Sequence, residues 1–506
     1  MNRLQQRPAA ETQRKAVCIS VILNLIIAIF SPESALVAQG KVFTLRECIR
    51  YAQEKSPAAR IARKNYESAF WNFRAFKASM LPGLQFSGNS PGFARQIIPN
   101  ILDNGERSFV QQNQAFSDAQ LRISQNIPQT GGRIWMASGL NRVDIFGTTE
   151  YLLWSSSPLL FGISQPLFQY NDLRWSKKTS PIRFHVAEAT YLEALEDISQ
   201  DVTELFFDVF ISQINLANAE FNLLVNDTVL NISRGRYNVG KIGEDDMLMA
   251  ELAMMRATSQ VKSQKFRYET AVQNLAIALG LPVYEKIGVI PPTETGRIPI
   301  DPEIAKSMAM QNRSDAINFE LRTLEAESDL AQARTSNRFN ADLNAAFGLN
   351  QNGSSLQAAY TQPLSQQSFS VGFQIPLFQW GQNRAQVNSA EASRERISEQ
   401  IRLDRAIFTQ EVNNQVARFE QLREQVEIDA RADSIARRRF EVARNRYNIG
   451  KIELTSLQIA QNEKDAARAQ YMQTLSGYWA GYYRLRRLTL FDFMEGRRLE
   501  IPERME

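Results

Sequence analysis

The heptapeptide RYNVGKI at residues 236–242 recurs as RYNIGKI at residues 446–452, an offset of 446 − 236 = 210. A second pair of segments, ISQPLFQ at 163–169 and FQIPLFQ at 373–379, has the same offset. The distance from the proline of this pair to the glycine of the heptapeptide is 74 residues in both halves, 240 − 166 and 450 − 376. Recurrence at one fixed spacing indicates an internally duplicated chain.

Long helices explain why this spacing is constant. One residue inserted into a helix rotates everything beyond it by about 100°. No proline occurs between Pro181 and Pro282 or between Pro376 and Pro502, as long helices require. We predict three helices in each copy, with the heptapeptide glycines in tight turns. The predicted helices with defined ends span about residues 44–78, 245–279, 302–335, 385–445 and 455–488.

Apolar residues on the longest of these helices recur at helical intervals. Val412, Val416, Phe419, Leu422 and Val426 are 4, 3, 3 and 4 residues apart. They form a stripe that packs against another helix, while most other positions are polar or small. A soluble coiled-coil rod would carry the same pattern, so the helices alone do not separate a channel from a scaffold.

Short segments after the first helix of each copy alternate between apolar and small or polar residues. Phe369, Val371 and Phe373 alternate with Ser370 and Gly372, and weaker alternation occurs at residues 84–88, 159–163 and 343–347. The pattern suits strands with one face toward lipid and one toward a lumen, and it equally suits a soluble half-buried sheet. We predict four principal strands per chain, two in each copy. Four strands are too few to close a barrel, so closure requires several chains.

The first copy contains additional residues in its strand region. Ser56 corresponds to Ser314, an offset of 314 − 56 = 258, so the first copy is longer by 258 − 210 = 48 residues. The segment SQNIPQ at 124–129 is a third version of the strand-ending motif. We predict an extra hairpin at about residues 91–157, which either joins the other strands or folds beside them.

Aromatic residues cluster where the strands end. Phe168, Tyr170 and Trp175 follow one strand, and Phe378 and Trp380 follow its counterpart. Such rings favour the interface between a membrane and water. Packing in a protein core explains them as well.

The N-terminal residues have the pattern of a secretory signal peptide, with an uncleaved anchor as the alternative. Basic residues precede an apolar run at 16–30, which is shorter than the roughly 20 residues of a spanning helix. The predicted organisation is a signal peptide at 1–38, a first repeat at 39–290 and a second repeat at 291–506. The first repeat includes a tip turn at 236–246; the second includes strands at about 341–376 and a tip turn at 446–456.

Composition argues against several classes of function. The net charge of +4 is spread over intermingled acidic and basic residues, unlike the clustered basic face of a nucleic-acid-binding protein. One histidine and two cysteines cannot build a metal cluster of the usual spacing, and the common catalytic motifs are missing from the sequence. We predict a protein that is not an enzyme, has no cofactor and binds no nucleic acid.

Together these features resemble the TolC-like outer-membrane efflux family. The resemblance is carried by TLRECI at 44–49, Ser-Pro at Ser56, Leu-Pro at Leu81, ALGLP at 278–282, and the two pairs of repeated motifs. It covers nearly all of the predicted mature chain. The family implies an α+β membrane protein in the outer membrane, with a periplasmic extension made of long coiled-coil-like helices.

The resemblance also implies an assembly. Family members are homotrimers whose chains pool four strands each into one 12-stranded β-barrel in outer-membrane lipid. Their partners are a periplasmic adaptor (membrane fusion) protein and an inner-membrane transporter. The implied function is the passive exit duct of a tripartite efflux or secretion system. A non-channel periplasmic coiled-coil scaffold is the alternative.

Site residues follow from the same resemblance. The adaptor would dock at the tip residues, which are Val239, Gly240, Lys241, Ile449, Gly450 and Lys451. Asp246 and Tyr447, with Glu244 and Asp245, match a constriction of the closed tunnel. The second copy departs from this pattern, because Ser456 occupies an acidic position. Glycine's backbone freedom and the favourable effect of acidic residues at a helix N-terminus explain these residues equally well.

Overall fold

The computed structural model describes residues 41–101, 105–147, 150–292, 298–336 and 338–502. The predicted signal peptide, residues 1–38, lies outside them. The described chain divides into two compact units. The first contains residues 41–48 and 208–292, and the second contains those of 49–207 and 298–502.

The described residues form long helices and one large sheet. The helices are α1 (Leu45–Lys55), α2 (Pro57–Ser79), α3 (Asp172–Asn238), α4 (Glu244–Leu279), α5 (Pro302–Asn312), α6 (Ser314–Ser336), α7 (Gln382–Asn448) and α8 (Leu454–Thr489). The strands are β1 (Lys41–Thr44), β2 (Gly83–Ile101), β3 (Arg107–Ile127), β4 (Gly132–Phe146), β5 (Tyr151–Leu167), β6 (Ile287–Ile290), β7 (Asn340–Gly353), β8 (Leu364–Gln374), β9 (Phe491–Asp492) and β10 (Arg497–Arg498).

A small parallel sheet ties together the ends of the first unit. β1 pairs with β6, and Lys41 forms an ion pair with Glu285 at 3.1 Å. Thr44 and Glu47 cap α1 reciprocally: the Thr44 amide donates to Glu47 Oε2 at 3.0 Å, and the Glu47 amide donates to Thr44 Oγ1 at 3.4 Å. Cys48 is buried with a free thiol, and burial raises the pKa of this thiol to about 12.

The long helices have matching lengths. α3 and α7 each contain 67 residues, and α4 and α8 each contain 36. Their first residues differ by 382 − 172 = 210 and 454 − 244 = 210, the offset of the sequence motifs. α3 begins upstream of the proline-free stretch and contains Pro181. Its start is stabilised by Asn171, whose Oδ1 accepts a hydrogen bond from the Arg174 amide at 3.0 Å.

The helices predicted at about 44–78 and 302–335 are each broken in two. Between α1 and α2, buried Ser56 accepts a hydrogen bond from the Ala59 amide at 3.0 Å, and Pro57 is the first residue of α2. Serine at the N-cap followed by proline is a strong helix start. Between α5 and α6, the Glu193 carboxylate accepts from the Ser314 amide at 2.8 Å. A carboxylate from a distant helix therefore caps α6.

One antiparallel sheet of the second unit contains six strands in the order β2-β3-β4-β5-β7-β8. Four of these strands, β2, β5, β7 and β8, contain the four predicted principal segments. The extra hairpin forms β3 and β4, which lie between β2 and β5. They pair with their neighbours over most of their length, for example Leu121 with Ser138 and Trp135 with Gly162. The extra hairpin thus joins the other strands.

The predicted apolar stripe of α7 packs against α8. Val412, Val416, Phe419 and Val426 are buried, and the Phe419 ring stacks on Tyr478 with 5.0 Å between centroids. Gly477 and Gly481 of α8 leave room for Leu422, whose methyl carbons lie 3.4–3.5 Å from where their Cβ atoms would be. Among the described residues, no helix combines the length and the apolar character needed to cross a bilayer.

A buried ionic cluster joins α3, α8 and β9 within the second unit. The Arg486 guanidinium contacts Glu196 Oε1 and Asp492 Oδ2, each at 3.0 Å. Tyr482 donates a hydrogen bond to Asp492 Oδ1 at 2.6 Å. Burial raises the pKa of Glu196 to about 7, although the charge of Arg486 acts in the opposite direction. Folding therefore favours the protonated form of Glu196.

This shift predicts how stability depends on pH. The pKa of Glu196 is higher in the folded chain, about 7, than its ordinary value of 4.5. Its stabilising contribution is thus complete below about pH 4.5 and is lost as the pH rises through about 7, a change of about 3 kcal/mol. Glu196→Gln should remove this dependence in thermal unfolding of detergent-solubilised protein between pH 4.5 and 8. Glu220→Gln, at an exposed glutamate of α3, should behave as wild type; an unchanged pH profile in Glu196→Gln contradicts the assignment.

Candidate channel surfaces

The two tip turns have the same backbone structure. Gly240 and Gly450 adopt φ values of +70° and +75°, which glycine tolerates without strain. The amide of each glycine donates to a tyrosine carbonyl, Tyr237 at 2.8 Å and Tyr447 at 2.9 Å. The following lysine amides each donate to an arginine carbonyl at 2.8 Å. Each turn therefore ends its long helix with the hydrogen-bond pattern of a left-handed glycine cap.

Each tip turn exposes an apolar side chain next to a lysine. Val239 is 68% exposed and Ile449 is 67% exposed. Lys241 and Lys451 are also exposed. These residues are the predicted adaptor-docking positions, and docking there stays a prediction.

The two tips differ in the helix that follows. α4 begins after Gly243 with three acidic residues, Glu244, Asp245 and Asp246, all of which are exposed. α8 begins after Glu453 without an acidic residue in its first turn. Carboxylates at the N-terminus of α4 interact favourably with the helix dipole. The three carboxylates thus stabilise α4 in addition to their predicted role in a constriction.

The predicted constriction residues have different surroundings. Tyr447 is buried, with 3% of its surface exposed, whereas Tyr237 at the matching position of the first tip is 39% exposed. Asp246 belongs to the first compact unit and Tyr447 to the second. The constriction therefore stays a prediction.

The aromatic residues at the strand ends fall into two groups. Phe168, Phe378 and Trp380 are 70%, 69% and 89% exposed, and Phe378 and Trp380 form an edge-to-face pair with 4.5 Å between centroids. Tyr170 and Trp175 are partly buried, and the Tyr170 hydroxyl lies 2.5 Å from Ser328 Oγ. The exposed group is the part that a membrane interface would accommodate; that location stays a prediction for all five.

The six-stranded sheet has an apolar face and a polar face. In an antiparallel sheet, residues that pair across strands point to the same side, so the registers assign each side chain to a face. The apolar face contains, from β2 to β8, Leu84 and Phe86, Leu121 and Ile123, Ile134, Met136 and Leu140, Leu159, Phe161 and Ile163, Leu343, Ala345 and Phe347, and Phe369, Val371 and Phe373. Phe86, Phe369 and Phe373 are at least 70% exposed. Exposed phenylalanines on one sheet face suit an apolar medium.

The opposite face of the same strands is mostly polar or small. It contains Gln85 and Ser87, Gln120 and Arg122, Arg133 and Asn141, Gly162 and Ser164, Asn344 and Gly348, and Ser368 and Ser370. Trp135 is an exception, and the Arg122 guanidinium lies 4.7 Å from its ring centroid. A sheet with these two faces can separate an apolar medium from water.

Comparisons with known proteins identify the family. The model of the "Outer membrane efflux protein" family matches residues 106–281 and 306–489, which is 176 + 184 = 360 of the 506 residues. The chain belongs to the outer membrane efflux protein family. Its location is therefore the outer membrane, as predicted, and members of the family are efflux channels rather than enzymes. Curated proteins gave no match.

Solved structures of outer-membrane channels share the fold. The CmeC outer membrane channel of Campylobacter jejuni has a TM-score of 0.64 at 16% identity, covering 90% of this chain and 87% of that one. The outer membrane protein VceC of Vibrio cholerae has a TM-score of 0.63 at 14% identity, covering 90% and 97%. The open state of the MtrE outer membrane channel of Neisseria gonorrhoeae has a TM-score of 0.59 at 16% identity, covering 88% of both chains. The predicted TolC-like family is thus confirmed.

The described part of the chain contains no metal-binding cluster. No group of three or more His, Cys, Asp and Glu side chains in it is arranged to hold an ion.

The tip turn allows a test of its backbone. Gly240→Ala places a Cβ at positive φ, which costs about 1–2 kcal/mol. Opening of the turn should become about 5–30 times more frequent, so the amides of residues 240 and 241 should exchange hydrogen faster by that factor. Gly235→Ala, five residues earlier within α3 and with open space around it, is the matched control and should not speed exchange. Equal exchange in both variants would show that the turn does not depend on glycine.

Proposed function

We propose that the protein is the exit duct of a tripartite efflux or secretion system. Three copies form a passive outer-membrane channel, which a periplasmic adaptor protein joins to an inner-membrane transporter. The observation that carries the proposal is the presence, in one chain of this family, of a two-faced sheet and of helices of 67 and 36 residues. At about 1.5 Å per residue α7 is about 100 Å long, well beyond a hydrocarbon core of about 30 Å.

The sheet accounts for the membrane part of the proposal. Its apolar face contacts lipid and its polar face lines water, as in other membrane barrels. Phe168, Phe378 and Trp380 lie just beyond the ends of β5 and β8, where their exposure suits the headgroup region. Passage along the polar face needs no chemistry, so the energy for export comes from the transporter.

The tip turns account for the link to an adaptor. Val239 and Ile449 present exposed apolar side chains, and a lysine follows two residues later in both turns. Such a surface suits a partner with a small apolar pocket rimmed by acidic or carbonyl oxygens. Because the two turns share one hydrogen-bond pattern, the adaptor meets two similar sites in each chain.

The acidic start of α4 accounts for control of passage. Glu244, Asp245 and Asp246 of three copies would bring nine carboxylates to one level of the tunnel. Repulsion between such charges opposes closure unless partners from neighbouring helices offset it. Tyr447 is the hydroxyl donor that we assign to Asp246, and the first turn of α8 has no acidic residue.

A non-channel periplasmic scaffold is the alternative from the sequence. A scaffold would need only the paired helices. An exposed apolar sheet face gives a scaffold no advantage, since such a face in water promotes aggregation. The two functions differ in the effect of a high-salt wash: a channel should stay in the outer membrane, whereas a scaffold should be released.

The docking site can be tested by adding a charge to one tip. Ile449→Glu should reduce export at least tenfold, because a carboxylate in an apolar contact costs more than about 1.4 kcal/mol. Ile435→Glu on the same helix is the matched control: Ile435 is 62% exposed and lies 14 residues from Ile449, so its variant should export normally. Both variants should remain in outer membranes after a high-salt wash and run as trimers in detergent. Equal export by the two variants contradicts docking, and release by salt favours the scaffold.

The constriction can be tested in planar bilayers. Asp246→Ala and Tyr447→Phe should each raise the conductance of the closed channel several-fold, because the first removes the acceptor and the second the donor of the proposed hydrogen bond. Ser456→Ala changes the matching position of the second tip and should leave that conductance unchanged. A wild-type closed state in both tip variants would remove these residues from the constriction.

A further inference from the structure

The six-stranded sheet ends in two unpaired edges within the described chain. β2 pairs only with β3, and β8 pairs only with β7, so one side of each strand lacks backbone partners. In lipid, every backbone amide and carbonyl must be hydrogen-bonded inside the protein. An open sheet in a membrane is therefore incomplete, and its two edges need a partner.

The edges of one copy fit the edges of another. Neighbouring strands of the sheet are antiparallel throughout, so the first strand, β2, and the sixth, β8, run in opposite directions. If β8 of one copy meets β2 of the next, the antiparallel order continues across the junction. The shorter edge strand, β8, has 11 residues, enough to cross a bilayer at the tilt of a barrel strand.

The hairpin of β3 and β4 has the same two faces as the other strands. Leu121 and Ile123 on β3 and Ile134, Met136 and Leu140 on β4 point to the apolar face. β3 and β4 contain 21 and 15 residues, which exceed the 9–11 residues or so of a membrane strand. The hairpin therefore belongs to the layer that contacts lipid.

The apolar residues also shift along the sheet as a barrel requires. The pairing registers can be followed from each edge strand to β5. Phe86 on β2 then aligns with the β5 bulge near Leu159, and Val371 on β8 aligns with Gln165. The shift is 165 − 159 = 6 residues over five steps between strands. With about 3.3 Å per residue and about 4.8 Å between strands, a level apolar band needs a strand tilt of about 40°. Barrel strands tilt by about 35–45°.

We propose that all six strands cross the outer membrane and that β8 of each copy pairs with β2 of the next. Three copies then close a barrel of 3 × 6 = 18 strands, in place of the 12 strands that the family resemblance implies. The inference rests on the trimer and membrane location of the proposed function. Because barrel diameter grows roughly linearly with strand number, the membrane part of the pore is about half as wide again.

Cysteine labelling of full-length trimers in native outer membranes tests the position of the hairpin. In a Cys48→Ala background, the pairs are Gln120→Cys with Leu121→Cys on β3, Asn141→Cys with Leu140→Cys on β4, and Ser370→Cys with Phe369→Cys on β8 as reference. A charged, membrane-impermeant maleimide should label the first member of each pair at least tenfold faster, since it faces the lumen.

The outcomes distinguish failure of the 18-stranded barrel from failure of the exit duct. A tenfold preference on β8 without one on β3 and β4 overturns the 18-stranded barrel and leaves the exit duct intact. Loss of the preference on β8 as well shows that the sheet is not in the membrane, which overturns the proposed function itself.

Disulfide formation tests the junction between copies. Phe86→Cys on β2 is combined with Phe369→Cys, Val371→Cys or Phe373→Cys on β8, all on the apolar face. Oxidation with copper phenanthroline should give covalent trimers for at least one combination. Gln85→Cys with Phe369→Cys, on opposite faces, is the matched control and should give none. Absence of covalent trimers from all three same-face combinations overturns the pairing of β8 with β2.

Discussion

Continuous backbone hydrogen bonding in the long helices is the constraint on which the structure depends. A helix of 67 residues cannot gain or lose one residue without turning its apolar stripe away from its partner. α7 keeps Phe419 against Tyr478 and Leu422 over two glycines of α8 only in its present register. The tip turn can therefore vary little in position, because packing along the helix fixes the direction in which every residue before the turn points.

The strand region tolerates insertions more easily than the helices do. It contains more residues in the first part of the chain than in the second. Adding a hairpin inserts two antiparallel strands, which leaves the direction of every other strand unchanged. β2 and β5 both keep antiparallel neighbours with β3 and β4 between them. An insertion that a packed helix could not accept is thus accommodated by the sheet.

The sequence predicts those parts of the fold that local contacts determine. Parts that depend on residues far apart in the chain are not predicted. The long helices and their glycine turns follow from helical periodicity, the absence of proline and the need for positive φ. The break at Ser56 has a local signal in Ser-Pro, whereas the break before Ser314 depends on Glu193, which is 121 residues away. The hairpin of β3 and β4 has a sequence signal in its strand-ending motif, but its place between β2 and β5 depends on backbone pairing across strands, which the motif does not encode. At the tips, sequence placed Tyr237 and Tyr447 alike, but tertiary packing buries only the second.

The buried thiol of Cys48 has a consequence for the passage of this protein through an oxidising compartment. Thiolates, not thiols, attack disulfides, and burial, which raises the pKa of Cys48 to about 12, keeps this side chain as the thiol in the folded chain at neutral pH. An unfolded chain exposes an ordinary thiol, which is far more reactive. A mixed disulfide at Cys48 would therefore mark a chain that has not folded.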